Sequence, residues 1–212
     1  IYNFSFKWWI EIFNHRQFVS CLINSVTIGV SVAIVSSITG TMAAIGLSKV
    51  SNKSASLILA IISIPILLPP LVLGITLLSF YVSIGMKLGL HTVIYSHLLF
   101  TQPFVILIIY SRMITFDYSL IDSARDLGAS PLKAFFTITV PIIQPVVIGA
   151  SLLAVALSID DFIITFFTIG AGNTLPTLVF GMMRTSLKPE VNAIGTIILF
   201  MTISSSAIAL WM

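Results

Sequence analysis

The sequence has few charged residues and only one cysteine. Of its 212 residues, 8% are Asp, Glu, Lys or Arg, against about 25% in an average soluble domain, and 58% are hydrophobic. A soluble fold of this length cannot bury so many apolar side chains, whereas a bilayer accommodates them in spanning helices of about 20 apolar residues. The net charge of +3 gives no support for a nucleic-acid-binding surface, and Cys21 alone excludes an internal disulfide. The composition therefore predicts an integral membrane protein in contact with the lipid bilayer, without a nucleic acid partner.

Long apolar stretches cover most of the chain. Helices are the expected spanning elements, because the ten-residue alternating segments of a membrane barrel are absent from the sequence. We predict an all-α integral membrane fold, organised as a single domain over residues 1–212, with five visible spanning helices. Because the sequence opens at Ile1 and stops inside an apolar run, we expect missing residues at both ends, including an earlier helix that would bring the number to six. The five stretches are 18–47, 55–84, 92–113, 135–159 and 191–212, and a shorter one, 162–169, continues the fourth.

Three local patterns lie in the first part of the chain. Residues 1–17 are aromatic and mildly polar, which is typical of a segment at the headgroup level. The second stretch is interrupted by prolines and by Gly74, so it is either the wall of a pathway or a helix with simple kinks. Small residues at helical spacing in the first stretch favour close helix packing, within this subunit or against another subunit. These small residues are Ser25, Gly29, Ala33, Ser37, Gly40 and Ala44.

The loop between the third and fourth stretches, residues 116–141, contains two helix signals separated by a glycine. Ser119 followed three residues later by Asp122 indicates a capping box and the start of a short helix. Gly128 is well placed to end that helix in a left-handed conformation. We call this predicted helix–glycine–helix unit the elbow.

The second half of the elbow begins at Ser130 and Pro131, which predict an N-cap and the first position of a new helix. Leu120, Ala124 and Leu127 fall on one face of the first helix, beside charged residues. A narrow apolar stripe with a charged rim suits docking into a groove on another protein. On this chemistry alone, it suits contact with lipid headgroups equally well.

The elbow resembles the EAA loop of permeases from ATP-binding-cassette importers, in which Glu-Ala-Ala is followed by three residues, Gly, nine residues and Ile-x-Leu-Pro. The spacing is the same here, with Asp for Glu, Ser for Ala and Val for Leu, and the matching residues are Asp122, Ser123, Ala124, Gly128, Ile138, Val140 and Pro141. The resemblance implies an importer-type (MetI-like) transmembrane domain whose elbow is the coupling helix on a cytoplasmic ATPase. It also implies that the loops at 49–53 and 112–133 face the cytoplasm. The implied coupling residues are Asp122, Ser123, Ala124, Gly128, Ala129 and Pro131.

Asp160 and Asp161 lie between two apolar runs, where burial of a carboxylate at the bilayer centre costs about 2.5–3.5 kcal/mol. No Lys or Arg lies deep inside the apolar stretches, so we expect a counter-charge from a partner subunit, a missing segment or a transported cation. Counted from the start of the fourth stretch, the pair lies toward the outer half of the membrane. Two interpretations fit it. Either the pair faces a pathway, or it caps a helix break near the outer interface and stays hydrated.

The segment 158–196 closely resembles the end of polyamine permeases of the spermidine/putrescine type, which carry Ser-x-Asp-Asp, a Gly-x-Gly loop, Leu-Pro and Pro-Glu-Val-Asn-Ala. The matching residues are Ser158, Asp160, Asp161, Gly170, Gly172, Leu175, Pro176, Pro189, Glu190, Val191, Asn192 and Ala193. Trp8, in FSFKWW, resembles the Lys-Trp-Tyr segment that precedes the first shared helix of this family. The resemblance implies a substrate pathway that includes Asp160, Asp161, Ser158 and Trp8.

This resemblance implies a permease that forms half of a polyamine pathway in a bacterial inner membrane. The implied partners are a second permease, in a heterodimer, two cytoplasmic ATPase subunits and an extracytoplasmic polyamine-binding protein. ATP and magnesium would bind to the ATPase, with no cofactor in this chain. Pro70 stands where the family tends to have an acidic residue, and Leu-Pro-Pro also occurs in anion-transporting relatives. Another organic cation and an inorganic anion therefore remain alternative substrates. A secondary transporter is an alternative kind of protein, but the resemblance of the elbow to the EAA loop argues against it.

No pattern in the sequence predicts an enzyme or a metal site. His15, His91 and His97 are expected in loop or interfacial positions, without the spacing of metal ligands. Adjacent aspartates on one helix point about 100° apart, so they cannot face each other as an aspartyl protease dyad does. We therefore predict a transport subunit with no catalytic residue.

Overall fold

The computed structural model describes residues 7–14, 16–185 and 189–211, and over these ranges the chain is helical without strands. The helices reflect long apolar runs with few breakers, separated by turns at Gly, Pro or polar residues. In chain order they are α1 (Lys7–Phe13), α2 (Phe18–Leu47), α3 (Asn52–Ile62), α4 (Ile64–Leu67), α5 (Pro70–Ser83), α6 (Leu90–Ile114), α7 (Ser119–Asp126), α8 (Pro131–Ala134), α9 (Val140–Asp160), α10 (Ile163–Thr168), α11 (Leu175–Thr185) and α12 (Pro189–Trp211). A π-helical turn, Phe135–Thr139, joins α8 to α9.

The centre of the bundle is formed by α2, α6 and α9, which pack on one another, while α12 covers a further side of α9. Small residues bring these helices together. A side chain at Gly40 would meet Val105 of α6 at 2.7 Å, and one at Gly29 would meet Ile159 of α9 at 3.3 Å. The small-residue stripe of α2 therefore serves packing within this subunit at these positions.

Among the described residues, four helical spans are long and apolar enough to cross a membrane, rather than the five predicted, and one of the four contains the π-helical turn. They are Phe18–Leu47, Leu90–Ile114, Pro131–Asp160 and Pro189–Ile208. The remaining predicted span, 55–84, is divided into α3, α4 and α5.

The division of this span follows from its prolines. Leu68 and Pro69 have extended backbones, and Pro70 opens α5, where its missing N–H leaves no helical bond unmade. Gly74 was predicted to contribute to the break, and this is wrong. It lies inside α5, where the missing side chain admits Phe167 of α10.

The elbow marks one end of the bundle, which we call the elbow end. The last residues of α2 and α6 lie there, since the Ser48 hydroxyl is 2.6 Å from the Tyr118 hydroxyl. At the opposite end, the loop after α10 closes over α2. The Asn24 side chain donates to the Asn173 carbonyl at 2.9 Å, and the Leu175 N–H donates to the Ser25 hydroxyl at 3.0 Å.

Candidate functional site

The two aspartates lie at a sharp break between α9 and α10. Asp160 is the last residue of α9, and Asp161 has an extended backbone that redirects the chain. The Asp161 carboxylate accepts hydrogen bonds from the Thr165 N–H at 2.8 Å and the Thr165 hydroxyl at 3.0 Å. Asp161 therefore caps α10, in agreement with one of the two interpretations that the sequence left open.

A histidine of the same chain completes the surroundings of Asp161. His97 belongs to α6 and is 1% exposed, with Nε2 3.2 Å from Asp161 Oδ2 and 2.9 Å from the Thr165 hydroxyl. Its Nδ1 lies 2.8 Å from the Ser158 hydroxyl. The tautomer with its proton on Nε2 shares that N–H between the Asp161 carboxylate and the Thr165 hydroxyl and accepts from Ser158 at Nδ1.

These contacts bear on two predictions. His97 was predicted at a loop or interface, but it is buried inside the bundle. The sequence led us to expect a counter-charge from outside this chain, and the structure shows that His97 of α6 is a hydrogen-bonding partner of Asp161 within the chain. A signal for this was present in the sequence, because an otherwise apolar helix carries a polar stripe at helical spacing. The stripe consists of Thr92, Ser96, His97 and Thr101.

Two other residues of this polar stripe form hydrogen bonds that join α6 to α10 and α5. The Thr92 hydroxyl lies 2.7 Å from the Thr168 carbonyl of α10. The Ser96 hydroxyl lies 3.1 Å from the Tyr81 hydroxyl of α5. Because bonds of this kind between helices are made without competing water, they fix how α5, α6 and α10 sit together.

Asp160 is exposed and lines a groove of about 560 Å³, which we call the acidic groove. Apolar side chains form most of its wall, and the residues described there include no Lys, Arg or His. His97 lies about two turns from the start of α6, so the groove lies in the half of the bundle away from the elbow. The groove is lined by Pro70, Phe100, Leu153, Ala156, Leu157, Asp160, Asp161, Phe162, Ile163, Thr202 and Ser206.

The structure brings together only part of the predicted pathway set. Asp160 and Asp161 both line the acidic groove. Ser158 is buried and turned to His97. Trp8 lies on α1, which packs against α12 and α2, and Lys7 Nζ sits 5.4 Å above its ring. Trp8 is not among the described residues of the groove, so its role in the pathway stays a prediction without a contact to support it.

The elbow has the predicted helix–glycine–helix form. Gly128 ends the first helix with a φ of +85°, in the left-handed region. The Ser130 hydroxyl accepts a hydrogen bond from the Lys133 N–H at 3.3 Å, and Pro131 opens α8, as predicted.

The predicted capping box at Ser119 is wrong. The Asp117 carboxylate accepts from the Ser119 N–H at 3.0 Å, and the helix begins at Ser119 itself, one residue earlier than a box with Ser119 as its N-cap would place it. Hydrogen bonds from the side chain and the backbone of Ser119 hold the pKa of the exposed Asp117 carboxyl below its usual value.

One face of the elbow packs on the bundle, and the other carries uncovered apolar side chains. Tyr118 and Ile121 pack against the central core. Leu127 and Leu132 are 90% and 70% exposed, and Leu120 is exposed as well. The predicted stripe of Leu120, Ala124 and Leu127 is therefore open at its two leucines, with only Ala124 half-buried.

Beside these leucines, the elbow forms an open pocket with a volume of about 630 Å³, which we call the elbow pocket. Four of the six predicted coupling residues line it, namely Asp122, Gly128, Ala129 and Pro131. Ser123 is exposed nearby, and Ala124 faces partly inward. Arg125, Asp126 and Ser130 complete the lining. Charged groups around uncovered leucines are suited to a protein partner of mixed polarity.

The described residues contain no cluster of three or more His, Cys, Asp or Glu side chains that could hold a metal ion. The site therefore consists of hydrogen-bonding and carboxylate groups set in apolar surroundings. Such an arrangement can bind and release a cation.

Comparison with known proteins shows which family this chain resembles. The family described as binding-protein-dependent transport system inner membrane component matches residues 36–212. The putrescine transport system permease protein PotI of Escherichia coli K12 is 36% identical over 209 residues, covering 93% of this chain and 73% of PotI. The spermidine/putrescine transport system permease protein PotC of Haemophilus influenzae is 30% identical over 203 residues, covering 95% of this chain and 79% of PotC.

Solved structures show the same fold at low sequence identity. A chain of a bacterial alginate ABC transporter superposes with a TM-score of 0.72 at 15% identity, covering 98% of this chain and 81% of that one. A chain of the MetNI methionine ABC transporter superposes with a TM-score of 0.65 at 16% identity, covering 92% of this chain and 95% of that one.

The predicted all-α, importer-type membrane fold is confirmed, although the number of spanning helices among the described residues is lower than predicted. The prediction of a transport subunit rather than an enzyme is confirmed by the family match. The chain belongs to the family of binding-protein-dependent transport system inner membrane components.

Proposed function

We propose that this chain forms half of the translocation pathway of an ATP-driven polyamine importer and couples that pathway to a cytoplasmic ATPase. The observation that carries the proposal is the acidic groove, where Asp160 is exposed and no described cationic side chain competes for it. Relatives that cover most of the chain are putrescine and spermidine/putrescine permeases, which supports the same class of substrate.

The chemistry of the groove suits an alkylammonium ion. Asp160 offers a carboxylate to an ammonium group, and hydrogen bonds between two ionised groups are about twice as strong as neutral ones. Phe100 and Phe162 line the same groove and offer ring faces to a cation or to the methylene groups beside it. Leu153 and Leu157 extend the apolar wall. A polyamine, which alternates ammonium groups with short methylene chains, matches this alternation of charge and apolar surface.

An inorganic anion fits the groove poorly. Asp160 would repel sulfate or molybdate, and the groove has no described Lys or Arg to offset that repulsion. Pro70, which replaces an acidic residue of the polyamine permeases, also lines the groove. The groove therefore has one carboxylate fewer than that family pattern implies, which leaves another small organic cation as the alternative substrate.

The partners follow from the two exposed surfaces and from the family. The uncovered leucines of the elbow and the elbow pocket suit one of two cytoplasmic ATPase subunits, which would bind ATP and magnesium, with no cofactor in this chain. A second permease, different from this one in a heterodimer, would supply the other half of the pathway. A polyamine-binding protein would deliver substrate at the end opposite the elbow. This arrangement makes the chain a multi-pass protein of a bacterial inner membrane with its elbow end in the cytoplasm.

Deletion of the gene tests the proposed substrate class. Uptake of labelled putrescine by cells without the chain should fall to the level of passive leak and should return when the chain is supplied again. Sulfate uptake, measured in the same cells, should not change, because the acidic groove excludes anions. Loss of sulfate or molybdate uptake with normal putrescine uptake would show that the substrate has been assigned to the wrong class.

A further inference from the structure

We propose that His97 is a positioning residue that holds the break between α9 and α10 in the conformation that turns Asp160 toward the acidic groove. The inference rests on the proposed role of Asp160 in meeting the substrate. It assigns a role to a buried histidine of α6 that is not part of the groove lining.

The contacts of the His97 ring lie on both sides of Asp160 along the chain. Nδ1 holds Ser158 in the last turn of α9, at 2.8 Å, and Nε2 holds Asp161 just beyond that helix, at 3.2 Å. Thr165, in the first turns of α10, lies 2.9 Å from Nε2 as well. One ring therefore joins the helix that ends at Asp160, the turn after it and the helix that follows.

His97 is itself held firmly enough to act as a fixed point. Its ring is buried and meets the ring of Phe100 edge to face, with centroids 5.3 Å apart. It stands on the central helix α6, which packs on both α2 and α9. A buried, close-packed side chain of this kind has few alternative rotamers.

The same contacts give the two aspartates different roles. One oxygen of the Asp161 carboxylate, Oδ2, meets His97, the Thr165 N–H and the Thr165 hydroxyl, so Asp161 is held by contacts inside the protein although it also lines the groove. Asp160 is exposed at the groove. Without His97, Asp161 would lose one donor and Ser158 would lose its partner. A buried carboxylate that is left short of donors is costly, so the turn would rearrange to expose Asp161 further to the groove that it already lines.

Thiol labelling at position 160 tests this inference in the assembled transporter. In a Cys21→Ala background, Asp160→Cys gives the chain a single thiol facing the groove, and the probe is a small cationic methanethiosulfonate. Adding His97→Leu should slow labelling of assembled complexes about tenfold, which corresponds to about 1.4 kcal/mol between orientations of the turn. His97→Gln should restore the rate, because its amide offers an N–H to Asp161 and a carbonyl to Ser158. Ser206→Cys, across the groove on α12, is the matched control and should label equally with and without His97.

An unchanged or faster rate at position 160 in assembled His97→Leu complexes would overturn the inference. If His97→Leu does not assemble, Ser158→Ala carries the test, because it removes only the Nδ1 partner. It should then slow labelling at position 160 in the same direction, and an unchanged rate would again overturn the inference. Labelling does not depend on which solute is carried, so failure of this test is distinguishable from failure of the proposed substrate class.

Discussion

Replacement of Asp160 with Asn should greatly reduce polyamine uptake while assembly and basal ATP hydrolysis survive. The substitution keeps the size and polarity of the side chain and removes the more exposed of the two carboxylates described at the acidic groove. Loss of a hydrogen bond between charged groups costs about 2 kcal/mol, which lowers uptake about thirtyfold. The measurement is uptake of labelled putrescine per assembled complex, with the amount of complex determined by co-purification of the ATPase.

Asp161→Asn is the matched control, since it makes the same chemical change at the next residue. The Asp161 carboxylate caps α10 and meets His97, so its replacement should lower the yield of assembled complex. Uptake per assembled complex should fall less than in Asp160→Asn. If both variants assemble normally and carry putrescine and spermidine at the wild-type rate, the acidic groove is not the pathway.

Gly128→Val should uncouple the transporter. Gly128 has a φ of +85°, and no heavy atom lies within 4 Å of an added Cβ, so backbone strain rather than a clash decides the outcome. A left-handed backbone costs an ordinary residue about 1–2 kcal/mol, and relief of that strain would swing α8 away from α7. The variant should still insert in the membrane but should lose ATPase association or the stimulation of ATP hydrolysis by loaded binding protein. Both can be measured by co-purification and by phosphate release.

Two variants show whether the conformation of Gly128 is the cause. Gly128→Asn should retain part of the coupling, because Asn tolerates the left-handed region better than Val does. Gly46→Val, near the same end in α2, also adds a Cβ with open space around it and should leave coupling intact.

A cysteine at Ser130, in the elbow, should react only with reagent on the cytoplasmic side. Normal coupled transport by Gly128→Val, or labelling of Ser130→Cys from outside, would contradict the coupling role of the elbow.

Features fixed by neighbouring residues were predictable from the sequence. The bounds of α2 follow from an uninterrupted apolar run, and Gly128, Ser130 and Pro131 act on the backbone within one turn of themselves. The capping box failed for an equally local reason. The Asp117 carboxylate accepts from the Ser119 N–H, and the helix begins at Ser119, so Ser119 is not in the N-cap position that the box requires.

The contacts of His97 could not be predicted in this way, because they join residues far apart in the sequence. His97 and Thr165 are separated by 68 positions, and only the packing of α6 beside α9 and α10 brings them together. The aspartates indicated a possible helix break at this point, but the apolar run after Asp161 did not show which of the two residues would cap the new helix. Periodicity does not show that a carboxylate will cap a new helix where the chain turns. The sequence therefore indicated that the two aspartates matter, while the structure shows that they point to different surroundings.

ATP-driven accumulation in proteoliposomes tests the central claim most directly. The transporter, purified with its second permease and ATPase, is reconstituted with the binding protein at the face opposite the elbow and ATP at the elbow face. Labelled putrescine should accumulate against its gradient only when both ATP and binding protein are present, and sulfate should not accumulate. Accumulation that persists without ATP and follows an ion gradient, or accumulation of sulfate in place of putrescine, would contradict the account.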